Sequence, residues 1–108
     1  MSRVPFAHAS EAELARLFDF YRIDWQYEPR SFPIAWNEQG RPIEFFTPDF
    51  YLPEYALYIE VTVAKAIRNT RKNRKLRLMR SHHPGVNVKL FTRRDIERVF
   101  SRSMKRAS

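Results

Sequence analysis

Residues 47–63 read TPDFYLPEYALYIEVTV, and this stretch decides the fold predicted for the chain. In its second half, aliphatic side chains alternate with Tyr58, Glu60 and Thr62, which is the period of a strand with two different faces. Pro53 cannot donate a hydrogen bond to a sheet, so it ends the preceding run. We therefore expect a strand, a turn and a second strand, with Glu60 and Thr62 on the face opposite the aliphatic one.

This pair of strands carries two carboxylates. Asp49 lies at the start of the first strand and Glu60 lies in the second, so pairing of the strands brings the two side chains together at a sheet edge. Mg²⁺ prefers oxygen ligands and needs only one or two protein carboxylates, because it keeps several of its waters. The alternative is that both acids are solvated on an exposed face of the sheet.

These residues resemble the motif of the PD-(D/E)xK nuclease superfamily, in which Pro-Asp is followed, after a spacer, by an acid, any residue and lysine. Here the motif reads Pro48-Asp49 and then Glu60-Val61-Thr62, so threonine stands where the superfamily has lysine. The resemblance implies that Asp49 and Glu60 hold Mg²⁺ or Mn²⁺ and that the domain cuts DNA phosphodiester bonds. It also implies a cation beside the phosphate, which Thr62 does not supply.

Two lysines are candidates for the missing cation. Lys72 lies on a helix predicted over residues 70–81, from which its flexible stem could bring an ammonium group to the site. Lys65 has the strand parity of the aliphatic face and reaches the site only if the strand bulges or ends early. We expect Lys72 to supply the charge, with Thr62 beside Glu60 as a further site residue.

A first helix is predicted from Ser10 to about Arg22. Ser10 is placed to be its N-cap, and Glu13 is placed to close a capping box. In the superfamily an acid on the first helix often approaches the metal, and Glu11 matches that place, although the helix dipole also favours an acid there. Small nucleases of the superfamily carry a similar Tyr-Glu-Pro after this helix, so Glu28 lies either near the site or in a solvated strand.

Charge is unevenly distributed along the chain. Residues 1–60 hold five Lys or Arg and ten Asp or Glu, a balance of −5, whereas residues 61–108 hold fifteen and two, a balance of +13. Residues 61–94 include no acid, and a solvated charged face usually carries both signs. Such a segment is suited to the phosphates of a polyanion. The predicted nucleic-acid contacts are Lys65, Arg68, Arg71, Lys72, Arg74 and Lys75.

The predicted fold is α/β, with the order α-β-β-β-α-β followed by a C-terminal helix and with a mixed four-stranded sheet. This order matches the restriction-endonuclease-like core of the superfamily. Strands at 32–36 and 43–46 and the strand of Glu60 are expected to form an antiparallel meander, and a crossover helix places the last strand parallel to that of Glu60. A chain of 108 residues suits one domain, here residues 1–100, followed by a basic flexible tail at 101–108.

Composition excludes several other classes of site. The chain has no cysteine, which rules out disulfides and thiolate-held metals, and its three histidines are too scattered to suggest a histidine-rich site. It contains no apolar run of membrane-spanning length and no signal-peptide core, so we expect a cytoplasmic protein without a membrane partner. The expected partner is DNA, branched or single-stranded and recognised by structure rather than sequence. A homodimer would suit paired cuts.

A second class of function stays open. The same fold could be a nucleic-acid-binding module that has lost catalysis because Thr62 replaces the lysine. Residues 60–65 and 71–75 also resemble a domain found beside phosphoribosyltransferase-like proteins in bacteria. This chain has no phosphoribosyl-pyrophosphate loop, so that resemblance implies an accessory domain rather than a transferase.

Overall fold

A computed structural model describes residues 6–62 and 70–107 of the chain. The elements follow in the order α1 (Ala9–Phe20), β1 (Gln26–Tyr27), β2 (Phe32–Trp36), β3 (Pro42–Phe46), β4 (Phe50–Leu52), β5 (Leu57–Val61), α2 (Thr70–His82), β6 (Val88–Phe91) and α3 (Arg93–Ala107). One turn of 3₁₀ helix, Pro53–Tyr55, joins β4 to β5. The described residues thus form a small α/β domain, as the sequence predicted.

The main sheet is mixed and has four strands in the order β1-β4-β5-β6. Strand β4 runs antiparallel to both β1 and β5, whereas β6 runs parallel to β5. Parallel neighbours require a crossover connection, and α2 lies between these two strands in the chain. The predicted parallel placement of the last strand is confirmed.

The hairpin of β2 and β3 forms a sheet of its own, so the predicted meander is wrong. Its place beside β4 is taken by β1. One face of the hairpin buries Phe32, Ile34 and Phe46 against Leu76 and Met79 of α2. The hairpin therefore packs on the helix that follows it rather than extending the main sheet.

Two apolar clusters cover opposite faces of the main sheet. One packs α1 and α3 against β4 and β5, and the aliphatic residues of β5 all belong to it. The other packs α2 and the hairpin against Tyr58 and β6. Asp49, Glu60 and Thr62 are consequently buried, at only 8%, 8% and 5% exposure. This overturns the alternative of two acids on a solvated sheet face.

Helix α1 begins and ends differently from the prediction. His8 occupies the N-cap position without a side-chain hydrogen bond to the helix, and Ser10 lies within the first turn. The predicted capping box of Ser10 and Glu13 is therefore wrong. The helix ends at Phe20, because Arg22 has a left-handed φ of 58°.

The other two helices lie where the sequence placed them. Helix α2 spans Thr70–His82, against a prediction of 70–81. Helix α3 begins with a cap in which Thr92 N–H and Oγ1 both donate to Asp95 Oδ2, and it continues to Ala107, through most of the segment expected to be a tail. Within the described ranges, every helix is too short or too polar to cross a membrane.

The turn between β4 and β5 generates a stability prediction. Ala56 has a φ of 48° and a ψ of 48°, a left-handed conformation that costs a residue with a Cβ roughly 1–2 kcal/mol. Ala56 is exposed, so loss of its methyl group sacrifices little buried surface. We expect Ala56→Gly to raise the free energy of unfolding in urea by about 0.5–1 kcal/mol, part of the relief being offset by the entropy of glycine. As a control, Ala12→Gly, inside α1, should lower the free energy of unfolding by about 1 kcal/mol. Changes of the same sign in the two variants would contradict the left-handed conformation of Ala56.

Candidate active site

A cleft of about 490 Å³ opens where the end of β5 meets the beginning of α1. It is lined by every residue that the sequence proposed as a catalytic or metal-binding group. These residues are Glu11, Asp49, Glu60, Thr62 and Lys72. The fold therefore gathers onto one concave surface residues from α1, the β4–β5 unit and α2.

Asp49 is fixed by the backbone of the neighbouring strand. The ladder between β4 and β5 ends with the pair Phe50 and Ile59, so Asp49 lies one position beyond it, opposite Glu60. Instead of a further backbone pair, the Val61 N–H donates a 2.7 Å hydrogen bond to Asp49 Oδ2. The Asp49 side chain thus accepts the hydrogen bond that a backbone carbonyl oxygen would accept if the ladder continued. This contact holds the carboxyl group at the cleft.

Lys72 reaches the same point from α2. Its Nζ donates a 2.6 Å hydrogen bond to the Val61 carbonyl oxygen and lies 3.4 Å from Glu60 Oε2. The ammonium group therefore lies beside Glu60, and it comes from a helix and not from the strand. Thr62, which follows Val61 in the chain, lines the same cleft. Lys65 and Arg68, the other predicted cations of this region, lie outside the described residues.

Burial sets the charge state of the two carboxyl groups. Desolvation, and after it the charge of Glu60, raises the pKa of Asp49 from its ordinary 3.8 to about 8. Desolvation also raises the pKa of Glu60, against the opposing effect of the Lys72 ammonium. Ionisation of both carboxyl groups beside the one charge of Lys72 is therefore unfavourable. Within the described part of the chain, the buried Oε1 of Glu60 has no hydrogen-bond partner.

Glu11 forms another wall of the cleft and is 4% exposed. Its Oε1 accepts a hydrogen bond from the hydroxyl of Tyr27, which itself accepts one of 3.0 Å from the Ala7 N–H. Burial, and then this contact with Glu11, raises the pKa of Tyr27. Tyr27 therefore holds the Glu11 carboxylate in position.

Sequence reasoning missed Tyr27 and proposed its neighbour Glu28. Glu28 is exposed and is not among the residues that line the cleft; its contribution is a 2.9 Å hydrogen bond from its N–H to the Asp49 carbonyl oxygen. The signal that could have found Tyr27 is strand parity. Alternate residues of β1 point to opposite faces, and Tyr27 is the one that packs on Phe50.

The basic residues of α2 extend away from the carboxyl pair. Arg71, Lys72 and Lys75 line a second cleft of about 340 Å³, so the predicted phosphate contacts share one surface with the site. Arg74 instead binds both carboxylate oxygens of Glu44, at 3.1 and 2.9 Å. The charge of Arg74 is therefore partly neutralised within the protein, which its position in the sequence did not reveal.

No ready-made cage for a metal is present in residues 6–62 and 70–107, because no three His, Cys, Asp or Glu side chains are arranged to hold an ion. Glu11 lines the cleft but does not complete a group of three with Asp49 and Glu60. The available donor set is a pair of carboxylates. Mg²⁺ is the biological cation that most often accepts so few protein ligands.

Comparisons with known proteins give no family assignment. No family model, no curated protein and no solved structure matches the chain. What the fold and the cleft define is a class of architecture, a small α/β domain with a buried acidic pair beside a basic helix.

The buried acid pair predicts an unusual dependence of stability on pH. Between pH 3.8 and about pH 8, the folded chain retains a proton on Asp49 that the unfolded chain releases, so the free energy of unfolding falls as pH rises through that range. In the Asp49→Asn variant the side-chain amide cannot titrate, yet it can still accept from Val61 N–H and donate to Glu60. We expect this change to flatten the pH dependence in the absence of divalent cations. At pH 8 it should raise stability by about 1 kcal/mol, roughly 4–8 °C in Tm for a domain of this size.

Asp24 provides the matched control, because it is an exposed aspartate outside the cleft. Asp24→Asn should leave the slope of stability against pH unchanged. Thermal unfolding of the three proteins at several pH values, with EDTA present, makes the comparison. The wild type should lose stability between pH 5 and pH 8 relative to Asp49→Asn. If the free energies of unfolding of the two proteins change equally over that range, the raised pKa of Asp49 is wrong.

Proposed function

We propose that this domain is a Mg²⁺-dependent endonuclease, also served by Mn²⁺, that hydrolyses DNA phosphodiester bonds and recognises DNA structure rather than base sequence. The proposal includes a restriction-endonuclease-like arrangement of its α/β fold. The observation that carries it is that Asp49 and Lys72 both bind the backbone of Val61, and that the Lys72 ammonium also lies 3.4 Å from Glu60. The resemblance of residues 48–62 to the PD-(D/E)xK motif supports the same activity.

The carboxyl pair fits a divalent cation. Asp49 and Glu60 would hold it, because both present oxygen donors to the cleft. The unpartnered Oε1 of Glu60 is the kind of buried polar atom that calls for an additional partner. The raised pKa of each carboxyl group indicates that one more positive charge would favour ionisation of the pair. When bound, Mg²⁺ supplies Lewis acidity at a phosphate oxygen and makes water more acidic.

Lys72 provides the protein's own positive charge at the reacting phosphate. Its contacts with Glu60 and with the Val61 carbonyl oxygen orient the ammonium group before a substrate arrives. A preorganised cation of this kind stabilises negative charge that develops in the transition state. Glu11, held by Tyr27, adds a fixed acceptor that can orient a water molecule in the cleft.

The basic surface beyond the cleft positions the DNA backbone. Arg71 and Lys75 line the cleft next to the site, and contacts of this type fix the register of a nucleic acid without reading its sequence. The side chains that α2 contributes to this cleft are arginine and lysine, whose contacts with phosphates carry no information on base sequence. Recognition of DNA structure is therefore the mode that this surface favours.

A nucleic-acid-binding module without catalysis is the second candidate. The observation in its favour is Thr62, which is 5% exposed and occupies the place of the motif lysine. In addition, Lys72 is already engaged by Glu60 and by a backbone carbonyl. A module of this kind would bind DNA through α2 and leave it intact.

Cleavage of supercoiled plasmid separates the two candidates. The purified protein should nick the plasmid with Mg²⁺ or Mn²⁺ and not with EDTA. Asp49→Asn and Glu60→Gln should each abolish nicking and the binding of the cation measured by calorimetry, because each removes an anionic ligand, while circular dichroism shows a retained fold. Binding of DNA without nicking by the wild type would favour the module, and unchanged cation binding in both variants would refute the metal site.

The role of Lys72 has its own test. Lys72→Ala should lower the rate of nicking by about a hundredfold or more, the scale of losing one preorganised charge. Two other variants serve as controls and should have smaller effects on the rate of nicking. They are Lys75→Ala, whose lysine is on the same helix but does not line the first cleft, and Lys65→Ala. Thr62→Lys should partly restore activity to Lys72→Ala, since it returns an ammonium to the strand.

Two results would change this picture. Nicking by Lys72→Ala at the wild-type rate would show that another group supplies the charge. If the wild type cuts nothing and Thr62→Lys creates activity, the domain is a binding module whose site lost its cation.

A further inference from the structure

Strand β1 has only two residues, yet it contacts two sides of the candidate active site. The Tyr27 hydroxyl donates to Oε1 of Glu11, and the next residue, Glu28, donates its N–H to the Asp49 carbonyl oxygen at 2.9 Å. Tyr27 is also the strand partner of Phe50, the residue that follows Asp49. One short strand therefore holds two acids of the cleft, one from α1 and one from the residue before β4, relative to each other.

The Tyr27 side chain is itself fixed on several sides. Its hydroxyl oxygen accepts a 3.0 Å hydrogen bond from the Ala7 N–H, and its hydrogen is directed at Glu11. The centre of its ring lies 4.8 Å from that of Phe6 and 5.6 Å from that of Phe50. A ring that is packed in this way, with its hydroxyl already bound on both sides, holds one oxygen of Glu11 in a single place.

Glu11 lies near the carboxyl pair but is not joined to it. It lines the same cleft as Asp49 and Glu60. After desolvation and the charge of Glu60, the charge of Glu11 also raises the pKa of Asp49. In the described part of the chain, however, these three acids are not arranged as a group that could hold one ion. The hydrogen bond from Tyr27 keeps Glu11 in this separate position.

The number of direct protein ligands influences which divalent cation a site prefers. Mg²⁺ is small, gives up its waters reluctantly and needs only one or two carboxylates of the protein. Ca²⁺ is larger and takes more oxygen ligands in a more flexible geometry. A third carboxylate that is free to turn toward the ion therefore favours Ca²⁺, whereas one that is held back leaves room for the waters of Mg²⁺.

We propose that Tyr27 determines the cation specificity of this site, because it holds Glu11 back from direct coordination and keeps it as an acceptor for the waters that Mg²⁺ retains. The direct ligands are then Asp49 and Glu60, whose buried Oε1 has no hydrogen-bond partner among the described residues. Tyr27 is a positioning residue in this arrangement, since it acts through Glu11. The inference rests on the proposed function, because it concerns the cation of the same site.

Calorimetric titration with Mg²⁺ and with Ca²⁺ tests this inference without any substrate. Tyr27→Phe removes the hydroxyl and keeps the ring, so Glu11 becomes free to turn toward the carboxyl pair. The affinity for Ca²⁺ should rise by about tenfold, because the ion gains a ligand. The affinity for Mg²⁺ should fall by about tenfold, because the acceptor for its waters is no longer fixed. A purely structural role of Tyr27 predicts instead that both affinities fall together.

Two further variants serve as controls. Tyr21→Phe should leave both affinities unchanged, because the Tyr21 ring packs on the same apolar cluster but the residue does not line the cleft. Glu11→Gln should lower the affinity for Mg²⁺ by about tenfold without abolishing binding. Adding Tyr27→Phe to Glu11→Gln should then give no gain in Ca²⁺ affinity, because the Glu11 carboxylate is absent. Circular dichroism with EDTA present checks that each variant retains the fold.

Several results would overturn the inference. One is a fall of both affinities in Tyr27→Phe, and another is an unchanged ratio of the two. A third is a gain in Ca²⁺ affinity that persists when Glu11→Gln is present. Loss of Mg²⁺ binding in Glu11→Gln as complete as that expected for Asp49→Asn would show that Glu11 is a direct ligand, and the inference would be wrong.

The same titrations keep failure of this inference distinct from failure of the proposed function. Nicking by a protein whose preference for Mg²⁺ over Ca²⁺ does not depend on Tyr27 would overturn the inference and leave the endonuclease standing. Opposite shifts of the two affinities in Tyr27→Phe, in a protein that does not nick, would support the inference and overturn the endonuclease. A wild type that binds neither Mg²⁺ nor Mn²⁺ would overturn the metal site and the inference together.

Discussion

The hydrogen bond between the Val61 N–H and the Asp49 carboxylate is the contact on which the candidate site depends. It is formed where the β4–β5 ladder stops, so a side chain replaces the backbone partner that the next pair would have supplied. The Val61 carbonyl oxygen is bound in turn by Lys72, which ties α2 to the same residue. Strand, acid and helix are thereby fixed relative to one another through a single residue of β5, and the cleft takes its shape from that arrangement.

Covering both faces of the sheet has an energetic consequence for these acids. A small domain gains stability mainly by removing apolar surface from water, and the two clusters of this fold do so on either side of β5. The same packing removes water from Asp49 and Glu60, which lowers the stability of the metal-free protein at neutral pH. Any cation that binds the folded chain and not the unfolded one recovers part of that loss. Folding and ligand binding are therefore linked through the carboxyl pair.

The parts of the fold that depend on neighbours in the chain could be predicted from the sequence. Alternation after Pro53 gave both faces of β5, and the spacing across that turn placed Asp49 opposite Glu60. The separation of the hairpin from the main sheet could not be predicted, because it depends on packing against a helix that comes later in the chain. The cap of α1 was also predicted wrongly, because the helix begins at Ala9, after His8, and Ser10 lies within its first turn. Within the site, the sequence allowed the prediction that a lysine of α2 reaches Glu60. It did not allow the prediction that this lysine also binds a backbone carbonyl oxygen. The metal and the activity stay predictions.

Glu44 gives the basic surface a property that its net charge conceals. The Glu44 carboxylate lines a cleft with the cations of α2 and binds Arg74 through both oxygens, and this contact lowers the pKa of Glu44. A phosphate that approaches Arg74 meets a guanidinium whose charge is already paired with Glu44, so the gain is smaller than the full value of one ion pair. Glu44 would thus compete with any phosphate for Arg74. If DNA binds here as proposed, this competition would weaken the binding of every strand alike and shorten the time that a strand stays bound, which would favour the release of a product over the retention of a target.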